Sequence, residues 1–207
     1  MAYNTFTLVQ LEQNFGLQIK RQSGIFKEVA PVEISGRLRE NLAIDTNMAL
    51  LSGSEKARSE YLIAPILSEV YRLSKDKAML FSGVEFNVDD EQGLWGFCDF
   101  LLTLAPTAPD LRAPVVSIVE AKKENINGGI PQCFAELIAA QIFNAKAERV
   151  IETLYGVVTT GEVWKFLSLQ GTSATIDGDL YYLDNVEKIV GIIVSMLQER
   201  KVLSVEC

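Results

Sequence analysis

The 207-residue sequence contains no histidine. This absence excludes Ser-His-Asp and Cys-His catalysis, and it also excludes zinc sites and metal nucleases that depend on imidazole. The three cysteines, Cys98, Cys133 and Cys207, form no CxxC pair and are odd in number. This pattern indicates a reducing cytoplasm and counts against a zinc site. The ligands left for a metal are oxygens, which suit Mg²⁺, Mn²⁺ or Ca²⁺.

Three longer signals are also missing from the chain. No run of 18 apolar residues occurs, and the N-terminus lacks a basic segment followed by an apolar one, so we expect neither a membrane span nor a secretory signal. The nucleotide-binding pattern GxxxxGK[ST] is absent, which predicts that no ATP-driven motor resides in the chain. The formal net charge of −8 counts against broad, nonspecific binding of nucleic acid but leaves room for a local basic groove.

The composition predicts one folded domain over residues 1–207, because 48% of the residues are hydrophobic and 22% are charged. We divide it into an N-terminal extension over 1–51, a core over 52–160, and C-terminal strands with a helix over 161–207. The order of the predicted elements favours an α/β fold with a mixed central sheet flanked by helices.

The residue pattern of the N-terminal extension predicts a helix over 5–15 that stops at Gly16. It also predicts a strand-like region over 17–29 with a turn at Gly24, and a weak helix over 34–51. We assign these elements packing roles and attach no activity to them.

The core opens with a predicted helix over 52–74. Ser52 and Glu55 fit a capping box at its start, and Pro65 predicts a kink in its interior. Capping gives Glu55 a structural role. Glu60 has no such role and stands at the edge of the apolar stripe, so it is either a solvated charge or a site residue.

Three strands follow, over 80–88, 95–104 and 115–122, and they predict an antiparallel meander. A helix over 131–147 should then cross over to a buried strand over 153–159.

The last part of the chain contains a strand-like run over 162–169 and a further run over 179–183 that completes the predicted sheet. Asp184 and Glu187 cap the last predicted helix, over 185–201.

The hairpin between the second and third strands gathers the most distinctive residues. Its Pro-rich loop, 105–114, is centred between Pro109 and Asp110, which places Asp99 opposite Glu120. Strand alternation then puts Lys122 on the face of Glu120. Two carboxylates opposed this closely repel one another, so they favour a cation between them.

These residue types are those of phosphodiester hydrolysis without histidine. Two carboxylates and a backbone carbonyl can hold Mg²⁺, and Lys122 can position the attacking water or offset developing negative charge. The helix predicted to begin at Pro131 would offer free N–H groups to a phosphate. Gln132, in its first turn, could contact that phosphate or orient a water. Equally, it could be a helix residue with no role in the site. The alternative without a functional site is a surface hairpin whose Glu120 and Lys122 are solvated.

The segment GFCDF over 96–100, followed by Glu120-Ala121-Lys122 at the end of an apolar strand, resembles the motif of the PD-(D/E)XK nucleases. Twenty residues separate Asp99 from Glu120. The element order over about 52–160 is similar to the core of the restriction-endonuclease-like fold. Residues 60–65 also resemble a helix of the N-terminal nuclease domain of type I restriction subunits.

This resemblance implies a role for each matching residue. Asp99, Glu120 and the Ala121 carbonyl would bind Mg²⁺ or Mn²⁺, and Lys122 would be the catalytic lysine. Glu60 would be the helix carboxylate near the metal.

One further match links the chain to RecB-like members of the family. Gln132 corresponds to their motif Gln, although Glu136 stands where they carry Tyr, and Cys98 replaces the Pro that usually precedes the first Asp.

The sequence therefore predicts a cytoplasmic, Mg²⁺-dependent nuclease whose expected substrate is DNA. The alternatives are a non-catalytic module of the same fold that binds nucleic acid or protein, and a metal-dependent phosphohydrolase for small substrates. A second copy of the chain and a separate motor or specificity subunit are candidate partners.

Overall fold

A mixed sheet of eight strands lies at the centre of the molecule. The computed structural model describes residues 2–74, 77–107, 109–198 and 202–203. The strands in chain order are β1 Gln18–Gln22, β2 Met79–Glu85, β3 Phe97–Thr103, β4 Val115–Ala121, β5 Val150–Ile151, β6 Leu154–Thr159, β7 Val163–Gln170, β8 Ser173–Asp177, β9 Tyr181–Tyr182 and β10 Val202–Leu203. The helices are α1 Leu8–Phe15, α2 Gly36–Leu51, α3 Glu55–Arg58, α4 Ala64–Leu73, α5 Ile126–Lys146 and α6 Val186–Gln198.

Most neighbouring strands of this sheet are antiparallel. The order is β1-β8-β7-β6-β4-β3-β2, with β9 paired to β7, and only β1/β8 and β4/β6 are parallel. Strands β5 and β10 form a separate pair. The expectation of an α/β fold with a mixed central sheet flanked by helices is thus confirmed.

The predicted meander is confirmed, because β2, β3 and β4 are antiparallel neighbours. Phe100 pairs with Val119 and Leu101 with Ile118, and the same register extended by one residue sets Asp99 opposite Glu120. One irregularity lies between Leu102 and Thr103, on the loop side of these pairs. The predicted register therefore holds at the end of the hairpin that carries the acidic residues.

The crossover from β4 to the parallel strand β6 runs through α5, as predicted. The helix begins earlier than Pro131, at Ile126, because the Asn125 side chain accepts a hydrogen bond from the Gly128 N–H at 3.0 Å. Residues 128–129, expected in a loop, are helical, and Pro131 lies inside the helix. Gln132 consequently lies in the second turn rather than the first.

The helix predicted over 52–74 is divided into three segments. Ser54, rather than Ser52, is its N-cap and accepts a hydrogen bond from the Ala57 N–H at 3.0 Å, whereas Ser52 ends α2. A π-helical turn, Ser59–Ile63, joins α3 to α4. Glu55 is therefore the first residue of α3 and is free of the capping-box role that the sequence predicted for it.

The N-terminal region adds an edge strand and two helices. Helix α1 begins at Leu8 behind a Thr7–Gln10 capping box and ends at Gly16, whose φ of 66° is left-handed. The strand-like region 17–29 is a strand only over β1, which pairs with β8. The weak helix over 34–51 is present as α2.

The C-terminal region differs most from the prediction. Strand β8 was not predicted, and it pairs with β7. The run 179–183 contributes only the short strand β9. The last helix spans Val186–Gln198, with Asp184 in the preceding 3-10 turn and Glu187 in its first turn, and residues 199–201 lie outside the described part.

The hydrophobic core extends on both sides of the sheet from Tyr3 to Leu197. All seven residues of β4 are buried, so the strand carries Glu120 into the interior. The Asn144 amide of α5 accepts from the Val115 N–H at 2.8 Å and donates to the Val115 carbonyl at 2.7 Å, which fastens α5 to the start of β4. Within the described ranges, no helix is long and apolar enough to cross a membrane.

Candidate active site

Two carboxylates meet where β3 begins and β4 ends. Asp99 Oδ2 accepts a hydrogen bond from the Ala121 N–H at 2.8 Å, so the side chain bends towards the end of the neighbouring strand. Glu120, directly before Ala121, is only 2% exposed. Ala121 itself is buried beside the two acidic residues. The hairpin therefore brings together the three groups predicted to bind a metal.

Lys122 links this pair to helix α5. Its Nζ donates to Glu120 Oε1 and, at 3.2 Å, to Gln132 Oε1. The Lys122 N–H donates to the Thr159 carbonyl of β6 at 2.8 Å, which fixes the backbone from which the side chain leaves. The next residue, Lys123, is half exposed and has its ammonium 3.8 Å from Glu124. Lys122 thus faces the acidic residues, and Lys123 faces solvent.

Glu136 extends the network deeper into the protein. It is fully buried, and its Oε1 accepts a hydrogen bond from Gln132 Nε2 at 3.0 Å. This bond orients the Gln132 amide so that Oε1 points to Lys122. The sequence offered Glu136 only as a replacement for Tyr, and an acidic residue in the apolar stripe of α5 is the signal that could have identified it.

Burial and mutual repulsion govern the protonation of the acidic residues. Burial, and next the charge of Asp99, raise the pKa of Glu120 to about 8. Burial and the charge of Glu120 raise the pKa of Glu136 well above its usual range. Burial also raises the pKa of Asp99, although the Ala121 N–H and Lys122 work against it. The cluster holds more acid groups than its surroundings can keep ionised.

The pKa of Lys122 is raised as well, which for a lysine favours the charged form. Burial acts to lower the pKa of Lys122, but Glu120, Asp99 and Glu55 outweigh it and raise that pKa above its ordinary value. The ammonium is therefore charged at neutral pH and neutralises part of the cluster.

The oxygen atoms of this site suit a divalent cation when water completes the coordination. Glu120 Oε2 and Glu136 Oε2 are buried and have no hydrogen-bond partner among the described residues. Three His, Cys, Asp or Glu side chains that could hold an ion by themselves are not found in the described part of the chain. Asp99, Glu120 and the Ala121 carbonyl would need water to complete the coordination. Such a set of oxygen ligands suits Mg²⁺ or Mn²⁺, which usually keep several waters.

Glu55 supplies a further carboxylate beside the site. Its Oε2 accepts a hydrogen bond from the Lys123 N–H at 3.0 Å, and its charge raises the pKa values of Asp99 and Lys122. Glu55 was not predicted as a site residue because a capping box with Ser52 would have given it a structural role. Taking Ser54 as the cap places Glu55 in the first turn, next to the end of β4.

Glu60 has other neighbours. Its carboxylate pairs with Lys56 at 2.8 Å, its side chain is 51% exposed, and it lines the groove between α2 and α4. Of the predicted site residues, Asp99, Glu120, Lys122 and Gln132 are brought together, and Glu60 does not contact them.

A close approach of α5 to the sheet holds the network together. A Cβ atom placed on Gly129 would lie 2.6 Å from Val158 Cγ1 and 3.0 Å from Lys122 Cε. Only glycine fits at this distance without displacement of the neighbours, so Gly129 lets the helix pack directly against the Lys122 side chain.

Comparison with known proteins adds no family assignment: no protein-family model matches the chain, and a search of curated proteins finds no match. The residues and their geometry show a half-buried Asp99 beside a buried Glu120, a charged lysine bonded to Glu120, and two buried carboxylate oxygens with no hydrogen-bond partner among the described residues.

Proposed function

We propose that this protein is a Mg²⁺- or Mn²⁺-dependent phosphodiesterase that cleaves nucleic acid, with DNA as the expected substrate, on a restriction-endonuclease-like core. One observation carries the proposal. Lys122 donates to Glu120, the charge of Asp99 acts on the same carboxyl group, and Glu120 Oε2 is buried with no hydrogen-bond partner among the described residues. Acidic side chains packed this closely are costly to keep ionised in a purely structural role, and a divalent cation would relieve their repulsion.

The chemistry of the residues agrees with phosphodiester hydrolysis. A divalent ion at Asp99 and Glu120 would supply Lewis-acid chemistry, stabilising negative charge on a phosphoryl oxygen and making water more acidic. Lys122 offsets the charge that develops on the phosphate or orients the attacking water. Gln132 and Glu136 hold the Lys122 ammonium in place through two successive hydrogen bonds.

The element order supports the finer assignment of the fold. A helix precedes the β2-β3-β4 meander, the acidic residues lie on β3 and β4, and α5 crosses over to the parallel strand β6. This arrangement is the one that the PD-(D/E)XK resemblance implies.

The test combines metal binding with cleavage. Calorimetry with Mn²⁺ should detect binding by the wild type and a large loss in the Asp99→Ala, Glu120→Ala double variant. Plasmid and linear DNA, single- and double-stranded, should be nicked or degraded by the wild type with Mg²⁺ and left intact by Asp99→Ala. Equal Mn²⁺ binding by wild type and double variant would remove the site from consideration.

The non-catalytic module is the second candidate, and the net charge of −8 favours it. Under this alternative, the wild type binds nucleic acid or protein but cuts no nucleic acid with either ion. A second copy of the chain and a motor or specificity subunit stay predictions that size-exclusion chromatography and copurification would test.

A further inference from the structure

Two aromatic side chains are exposed next to the acidic pair. Phe97, the first residue of β3, is 67% exposed, and Trp95, two positions earlier, is 40% exposed. The other large residues of this strand are buried, including Phe100, Leu101 and Leu102. An exposed phenylalanine therefore stands out in a strand that otherwise belongs to the core.

Strand geometry places Phe97 beside the site. Residues two apart in a strand project from the same face, so Phe97 shares the face of Asp99. Their Cα atoms are separated by about 7 Å along the strand. A base attached to the nucleotide next to a phosphate at Asp99 and Glu120 would lie within reach of this ring.

The charges around Phe97 favour a base over the phosphate backbone. Glu85 pairs with Phe97 across β2 and β3 and so faces the same side. Asn87 donates to Glu85 Oε1 at 2.9 Å, and no Lys or Arg of the described residues forms an ion pair with that carboxylate. The Lys122 ammonium is held by Glu120 and Gln132, so a phosphate is attracted to the acidic pair itself. Glu85 is the charged residue observed to pair with Phe97, and it disfavours a phosphate directly over the ring.

We propose that Phe97 stacks on an unpaired nucleobase and that the protein consequently prefers single-stranded or unstacked nucleic acid. The inference depends on the proposed function, because it names the substrate class of the same site. In a duplex, base faces are covered by their neighbours, and only an unstacked base offers its face to an aromatic ring. The net charge of −8 agrees with this preference, since stacking depends less on a broad basic surface than backbone contacts do.

A binding experiment tests the ring directly. Fluorescein-labelled dT12 and a hairpin duplex are titrated with full-length protein, and anisotropy is measured in Ca²⁺. Phe97→Leu should bind dT12 about tenfold more weakly than the wild type, the scale of one lost stacking contact, with duplex binding unchanged. Tyr71→Leu, at a 40% exposed aromatic residue on α4, is the matched control and should bind as the wild type does.

Trp95 supplies a local signal. The chain has two tryptophans, Trp95 and the fully buried Trp164, so a quench of exposed emission reports binding near Phe97. Unlabelled dT12 should quench the wild-type emission, and Trp95→Phe should abolish most of that response. An unchanged response in Trp95→Phe would place the bound strand elsewhere and overturn the inference.

Cleavage kinetics separate the two proposals. If the wild type cleaves DNA, Phe97→Leu should raise KM for single strands about tenfold and leave kcat unchanged, because the ring binds a base away from the reacting phosphate. Equal cleavage of single and double strands, with KM unaffected by Phe97→Leu, would overturn the subsite and retain the hydrolase. Binding of dT12 through Phe97 without cleavage would retain the subsite and remove the hydrolase. A wild type that neither binds nor cleaves would overturn both.

Discussion

Two buried glutamates of this protein have opposite surroundings. Glu69 on α4 is 5% exposed and accepts four hydrogen bonds, from the Ser35 N–H, Ser35 Oγ, and Arg72 Nε and Nη2, at 2.6–3.0 Å. Glu120 on β4 is 2% exposed, accepts one bond, from Lys122, and leaves Oε2 without a partner among the described residues. Arg72 and then Ser35 lower the pKa of Glu69 to about 2, whereas burial and Asp99 raise that of Glu120 to about 8.

This difference distinguishes a structural carboxylate from one prepared for a ligand. Every lone pair of Glu69 is directed at a protein donor, so the residue joins α4 to the start of α2 and has nothing left to offer. Among the described residues, Glu120 has one protein donor, Lys122, and burial beside Asp99 makes its ionised form costly, so it can accept a cation that Glu69 cannot. Buried acidic residues therefore indicate function when their hydrogen bonds are incomplete.

The largest expected effect comes from removing Lys122, the cation bonded to Glu120. Lys122→Ala should reduce nucleic-acid cleavage by on the order of 10²-fold or more, because a charge-stabilising or water-orienting group is lost, while Mn²⁺ binding persists. The measurement is Mg²⁺-dependent cleavage at saturating substrate.

The controls are Lys123→Ala, which faces solvent, and Arg72→Ala, which should cleave DNA normally although it is less stable. If Lys122→Ala were active and Lys123→Ala inactive, the catalytic lysine would be Lys123 and the prediction would be wrong.

Next in size is a pH-dependent gain in stability. Between its ordinary pKa of 4.5 and about 8, folded Glu120 holds a proton that the unfolded chain has lost, so the free energy of unfolding falls as pH rises through this range. Glu120→Gln should therefore stabilise the metal-free protein by about 2 kcal/mol at pH 8.5 and very little at pH 4.5. Urea unfolding at both pH values measures this, and destabilisation by Glu120→Gln at pH 8.5 would contradict it.

Glu69→Gln should act in the opposite direction. The carboxylate stabilises the fold above pH 4.5, and this contribution is lost as pH falls towards 2. The substitution should cost about 1.5 kcal/mol at pH 7, since the charged bonds from Ser35 and the half-exposed Arg72 are weakened. The same urea titration applies, and equal stability of Glu69→Gln and wild type at pH 7 would end the contrast with Glu120.

The smallest effect concerns the carboxylates of the α3–α4 region. Glu55→Gln should reduce cleavage about tenfold, because Glu55 lies beside the acidic pair and its charge acts on Asp99 and Lys122. Glu60→Gln should cleave within about twofold of the wild type, since Glu60 pairs with Lys56 at the surface. Cleavage rates at limiting Mg²⁺ compare them, and the reverse ranking would support the role that the resemblance implies for Glu60.

The sequence sufficed for the meander and its register. Apolar strand runs and a Pro-rich loop are local signals, and Asp99 lies opposite Glu120 because the single irregularity falls on the loop side of the pair. The two carboxylates and Lys122 could thus be grouped from spacing alone.

Other features were not predictable in this way. Gly128 and Gly129 are typical of a loop, yet they are helical because Asn125 caps α5 ahead of them, and Gly129 then lies in close contact with Lys122 and Val158. The carboxylate beside the site is Glu55 rather than the predicted Glu60. Recognising Glu55 required knowing which serine caps α3, and Ser52 and Ser54 are equally good candidates by residue type. Strand β8 was not predicted, although it forms a hairpin with β7, because its sequence SATID contains one large apolar residue, Ile176.

Gly129 has a consequence for anyone who would engineer this protein. A routine stabilisation strategy replaces glycine in a helix by alanine, which usually gains about 1 kcal/mol. At Gly129 the added methyl group would push α5 away from Val158 and Lys122. Gln132 and Glu136 would move with the helix, and the grip on the Lys122 ammonium would loosen. Gly129 has a low helix propensity, yet it is the residue that lets α5 pack closely against Lys122. Replacing it by alanine would favour the helix and reduce activity.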